Sequence, residues 1–119
     1  MAWERKSNKS ETGQNNSSIF TFIMNDLLSI KKELQLLKPS LLLKYNICEL
    51  GLFGSIVRND FSPESDIDIL VDFTRPIGIE FIDLAEELEA SLNRKVDLVS
   101  RKGIKPQYFQ AIQSELVYV

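Results

Sequence analysis

Leu52-Phe53-Gly54-Ser55-Ile56-Val57-Arg58 and, further along, Ser65-Asp66-Ile67-Asp68-Ile69-Leu70-Val71 decide how this chain folds. The first stretch closes an apolar run, Ile47–Phe53, that reads as a strand ending at Gly51 and Gly54. Ser55–Asn59 then reads as a turn of helix, and residues 60–65 as a loop. The second stretch opens a segment, Asp66–Phe73, that alternates. Ile67, Ile69 and Val71 face one way; Asp66, Asp68, Leu70 and Asp72 face the other. That is a strand with one apolar face and a second face charged at its beginning.

Working outward, Ile23, Leu27, Ile30, Leu34, Leu37 and Leu41 recur at helical spacing upstream. They predict a helix over 19–38, a break near Pro39 and a short second helical piece over 40–44. The stripe suits packing on a sheet. Leu36, Leu42 and Leu43 widen the apolar surface beyond one face, which leaves a partner-binding face as the alternative. Downstream, Thr74–Gly78 reads as a turn. A helix is predicted over 79–92, with Ile82, Ala85, Leu88 and Leu92 inward. Lys95–Ser100 reads as a strand, 101–105 as a basic loop, 106–114 as a helix and 116–119 as an extended end. Residues 1–18 are polar and read as a disordered tail, and 19–119 as one folded domain. The fold class is α/β or α+β, a small sheet flanked by helices.

Composition removes whole classes of chemistry. The chain has 119 residues, no histidine and one cysteine. Histidine-based general bases, Ser-His-Asp triads and His-ligated zinc are therefore absent. So is an intrachain disulfide; Cys48, in an apolar run, reads as a buried structural thiol. A net charge of −3 argues against direct nucleic-acid binding, which relies on clustered Lys and Arg. No apolar run approaches the roughly 20 residues of a membrane span, and the first residues lack a signal-peptide core. A cytoplasmic location is the default.

What remains is carboxylate, hydroxyl and amide chemistry. Asp66 and Asp68, two apart on a strand, lie side by side and repel unless a cation sits between them. Hard oxygen ligands of this kind suit magnesium. Alone, so short a motif reads first as one loop-capping aspartate and one solvated at a strand end. Gly54 permits close approach of a ligand to the backbone. Ser55, as an N-cap, would offer a hydroxyl and free N–H groups to phosphate. Arg58 either presents its fork to phosphate oxygens or is a solvated surface charge. Asp97 lies in Val96-Asp97-Leu98-Val99 and joins the two aspartates if that strand neighbours 66–73. Three carboxylates suit two metal ions, or one metal and one base. Asp72 is too far along the strand to share a metal with Asp68, and Asp60 and Glu64 read as loop solvation.

Gly54-Ser55, ten residues and then Asp66-Ile67-Asp68, together with Val96-Asp97-Leu98-Val99, resembles the DNA polymerase β-like nucleotidyltransferase superfamily. Within it, the flanking residues are similar to the minimal nucleotidyltransferase branch, the MntA-type antitoxins. The resemblance spans roughly residues 26–119. It implies a polymerase β palm-like mixed sheet with flanking helices. It implies Asp66, Asp68 and Asp97 as catalytic residues and ligands of Mg2+, and Gly54, Ser55 and Arg58 as binders of the nucleotide. It further implies ATP as substrate and a HEPN-domain toxin as partner in a hetero-oligomer, neutralised by AMP transfer to a tyrosine. Val57 and Asn59 stand where the family often has small residues around the arginine. The chain also lacks the large extra domain that encloses substrate in polymerases. Two other readings are a non-catalytic antitoxin that masks the toxin by contact, and a subunit of a small-molecule (antibiotic) nucleotidyltransferase.

Overall fold

The computed structural model describes residues 17–58, 60–62 and 64–119, with side chains described from Asp26 onward. The tail expected over 1–18 lies outside the described residues up to 16, as do Asn59, Pro63 and the side chain of Ile23. Helix α1 is Ser17–Tyr45, β1 Ile47–Phe53, α2 Ser55–Arg58, β2 Ile67–Phe73, α3 Glu80–Leu92, β3 Val96–Ser100, α4 Pro106–Gln113 and β4 Val117–Tyr118. The four strands form one mixed sheet in the order β3-β2-β1-β4. β1 runs antiparallel to β2 and β4, whereas β2 and β3 are parallel. A parallel pair needs a crossover, and α3 supplies it.

Both faces of the sheet are covered. On one, Leu34 and Leu41 of α1 and Leu84 and Leu88 of α3 are fully buried with Ile67, Ile69 and Val71 of β2. On the other, Leu70 and Phe53 pack with Ile112 of α4. The alternation read along β2 is thus present, and the face that begins with Asp68 turns apolar at Leu70.

Three expectations fail, each for a local reason. The break at Pro39 does not occur: α1 continues through it to Tyr45. Proline deprives the Gln35 carbonyl of its donor, but the ring lies on the exposed side while Leu34, Leu41 and Tyr45 are buried. Burial of residues on both sides of the proline outweighs the lost bond. In α3 the inward residues are Leu84, Leu88 and Leu92, and Ile82 is 57% exposed. Spacing by four through three leucines holds one face better than the three-residue steps from Ile82, which drift around the helix. Cys48 is exposed rather than buried. A register shift between Ile47 and Glu49 breaks the alternation of β1, so that Cys48 and Glu49 both face out.

The ends of elements follow from backbone chemistry. Asn93, in the left-handed region at φ 56°, caps α3 by donating its N–H to the Glu89 carbonyl at 2.8 Å. The basic loop after β3 is held at the end of the sheet remote from Asp68. The Arg101 guanidinium lies 3.7 Å from the Phe109 ring centroid, and Lys102 Nζ donates to the Phe73 carbonyl at 3.2 Å. Among the described residues no helix is long and apolar enough to cross a membrane.

Candidate active site

The site lies where β1 ends and where β2 and β3 begin. Phe53, the last residue of β1, pairs with Asp68, and Asp68 in turn pairs with Asp97 across the parallel strands. Strand register therefore puts two carboxylates abreast next to the turn at Gly54. Asp66 stands one residue before β2 and is exposed, as is Asp97; Asp68 between them is half-buried. Burial pushes the Asp68 carboxyl up to about 6, helped by the negative charges of Asp97 and Asp66 and opposed by Arg58. Asp66 and Asp97 both stand close enough for their charges to act on Asp68.

Gly54 answers a geometric demand. Its φ is +81°, in the left-handed region. A Cβ there would also collide with Asp68 Oδ2. The Gly54 carbonyl accepts the N–H groups of Val57 and Arg58, both at 3.0 Å, which starts α2. Gly54 is thus the N-cap in place of Ser55. Ser55 occupies the first helical position and is half-buried beside the aspartates. Its hydroxyl makes no hydrogen bond within the described residues and is available to a ligand.

Arg58 is exposed but engaged. Its Nη1 donates to Glu115 Oε2 at 3.2 Å and Oε1 at 3.3 Å, and its Nε lies 3.7 Å from Asp60 Oδ2. These bonds, Glu115 foremost, raise its pKa further above the usual guanidinium value. Glu115 Oε2 also accepts the Gly54 N–H at 2.8 Å. Sequence reasoning missed Glu115. It lies beyond α4, far from either motif, and no local pattern marks it.

The loop before Asp66 is stapled by a second arginine. Arg94 Nη2 donates to the Ser62 carbonyl at 3.0 Å and the Ser65 carbonyl at 3.1 Å, and its guanidinium lies 4.5 Å from the Phe61 ring centroid. The Ile67 N–H donates to the Lys95 carbonyl at 2.9 Å, which locks the start of β2 to the residue before β3. Asp72 accepts the N–H of Phe73 and lies 3.9 Å from Lys102, remote from the cluster as expected. Glu64 accepts from the Ser62 hydroxyl within its loop, whereas Asp60, read as loop solvation, lies 3.7 Å from Arg58 Nε.

Asp66, Asp68 and Asp97 are hard oxygen donors of the kind magnesium takes. Among the described residues no group of three His, Cys, Asp or Glu side chains is placed to hold a metal ion. Magnesium does not require one, because it takes one or two carboxylates and completes its shell with water and phosphate oxygens. A carboxyl raised toward neutral pH by burial and by two neighbouring like charges is a group that a divalent cation would stabilise.

Comparison with known proteins bears on the family and the fold. Residues 27–119 match the family model described as nucleotidyltransferase domain. The chain is similar to the protein adenylyltransferase MntA of Thermococcus cleftensis, 42% identical over 83 residues that cover 69% of this chain and 84% of that one. Its fold is similar to that of a solved minimal nucleotidyltransferase, with a TM-score of 0.63, 25% identity and coverage of 80% of this chain and 93% of the other. It is also similar to a chain of the solved complex between the tri-AMPylated HEPN toxin of Shewanella oneidensis and its MNT antitoxin. There the TM-score is 0.56 and identity 25%, over 76% of this chain and 68% of that one.

Proposed function

Because this chain belongs to the nucleotidyltransferase domain family, we propose that it is an antitoxin that transfers AMP from magnesium-bound ATP to a tyrosine hydroxyl of a partner HEPN-type toxin and so neutralises it. The observation that carries this reading is the register that sets Asp68 abreast of Asp97 beside the Gly54 turn. A relative named as a protein adenylyltransferase and a related complex with an AMPylated toxin support the acceptor class. Residues 19–119 form the transferase unit, and the cytoplasm, where ATP is abundant, is the compartment.

The acceptor oxygen bonds to the α-phosphorus of ATP, and the bond from that phosphorus to the bridging oxygen of the β-phosphate breaks. AMP stays on the acceptor oxygen and pyrophosphate leaves. Ser55 and Arg58 hold the phosphates, with Gly54 letting them approach the backbone. Asp97, exposed at the edge of the cluster, takes the proton of the incoming hydroxyl. Asp66, Asp68 and Asp97 would hold magnesium, one or two ions, which when bound supplies charge stabilisation to the transferring phosphoryl group. Among the described residues Asp66 and Asp97 stand exposed at one end of the sheet, and the acceptor comes from a partner protein.

The test uses ATP labelled on its α-phosphate, magnesium and the co-expressed partner. Label on the partner from α-labelled but not γ-labelled ATP is the expected result. Bound nucleotide with no label transferred would sink the catalytic reading. It would favour masking by contact, for which Leu28, Leu36 and Leu43, 62%, 72% and 88% exposed along α1, supply a surface. An aspartate-free variant that still neutralises the toxin at equal expression would point the same way.

A further inference from the structure

Glu115 belongs to none of the elements that build the acidic cluster. It sits in the link between α4 and β4, yet its side chain is only 20% exposed. Its carboxylate accepts the Gly54 N–H at 2.8 Å and Arg58 Nη1 at 3.2 and 3.3 Å. One side chain thus grips both the turn and the arginine that this site offers to phosphate.

The geometry distinguishes a support from a substitute for phosphate. Gly54 is buried with φ at +81°, so its N–H needs a partner that the strand and the helix do not supply. Glu115 supplies it from the C-terminal segment, which is anchored in turn by packing of Leu116 against the Phe53 and Ile112 cluster. On Arg58, both contacts fall on Nη1, and Nη2 makes no hydrogen bond within the described residues. The guanidinium is therefore held at Nη1, flanked at Nε by Asp60 at 3.7 Å, and keeps Nη2 to present elsewhere. Among the described residues these contacts include neither the hydroxyl nor the N–H of Ser55.

We infer that Glu115 is a positioning residue for nucleotide binding: it fixes the Gly54-Ser55 turn and aims Arg58, without touching the nucleotide itself. The inference rests on the reading that this turn and this arginine hold the triphosphate of ATP. A carboxylate seated where phosphate belongs would behave in the opposite way, since removing it would tighten binding.

The experiment is titration calorimetry of the full chain with magnesium-ATP, for the wild type, Glu115→Gln, Arg58→Ala and the double variant. Glutamine keeps an acceptor for the Gly54 N–H and drops the charge that holds Arg58. Glu115→Gln is expected to weaken binding about three- to tenfold, the scale of one charge-assisted hydrogen bond. In the Arg58→Ala background the same change is expected to cost less than about twofold, because its partner is gone. Glu115→Ala removes both contacts, and the Gly54 amide signal in a nitrogen-15 spectrum without nucleotide is expected to move with it. Should the alanine variant not fold, the glutamine variant carries the test. Equal or tighter binding by Glu115→Gln, or losses that simply add, would overturn the inference while leaving the proposed activity standing. A wild type that binds no magnesium-ATP would overturn both.

Discussion

Replacing Asp68 by asparagine in metal-free protein is expected to stabilise the fold. The Asp68 carboxyl moves from an ordinary 3.8 in the unfolded chain to about 6 in the folded one. At about 1.36 kcal/mol for each tenfold change in proton affinity, that is a penalty of about 3 kcal/mol once the group is ionised. Asp68 keeps part of its surface in water, so screening reduces this to about 1–2 kcal/mol. The sign follows from linkage. The folded state holds the proton more tightly, so stability is greatest below 3.8, falls as pH rises toward 6 and stays reduced above it. Asparagine has the same shape and no charge. In a chelating buffer at pH 7.5 its melting temperature is expected to exceed that of the wild type by about 3–8 °C. The gap should shrink as pH is lowered toward 4, where the wild-type carboxyl is protonated in the folded state. Saturating magnesium should raise the wild type and leave the variant unmoved. Differential scanning calorimetry over these conditions decides. A variant that melts lower at pH 7.5, or a gap that does not vary with pH, would refute the reasoning.

Gly54→Ala places a Cβ against Asp68 Oδ2 at a φ of +81°. It should cost about 1–3 kcal/mol in urea unfolding and abolish magnesium-ATP binding in calorimetry. Pro39→Ala restores the N–H missing from the middle of α1 at an exposed position, and should stabilise the fold by about 1–3 kcal/mol in the same denaturation assay. Arg94→Ala frees the Ser62 and Ser65 carbonyls and uncovers the Phe61 ring. It should cost about 1–3 kcal/mol and speed amide exchange at residues 64–66.

The sequence was most legible where two signals coincide. β1 appeared with the predicted bounds, and β2 began one residue late because Asp66 has no place in the ladder. Alternation and glycine punctuation both acted on residues 47–73, and tertiary packing had little left to decide. Asp97 could be placed only conditionally, since nothing local says that β3 lies beside β2. The parallel pairing supplies that fact. Pro39 misled because local propensity was weighed without the burial of Leu34 and Leu41. Cys48 misled because a register shift leaves no mark in an apolar run. Glu115 was illegible for a plainer reason. Its importance comes from a hydrogen bond to a residue sixty-one positions away, which no window along the chain contains.

The central claim is that Asp66, Asp68 and Asp97 together carry transfer of AMP to a partner. Its most direct measurement is the intact mass of the partner after co-expression with the wild type and with the Asp66→Asn, Asp68→Asn double variant. The account predicts a partner carrying AMP adducts with the wild type and an unmodified partner, still bound, with the variant. Adducts of equal occupancy in both would contradict it.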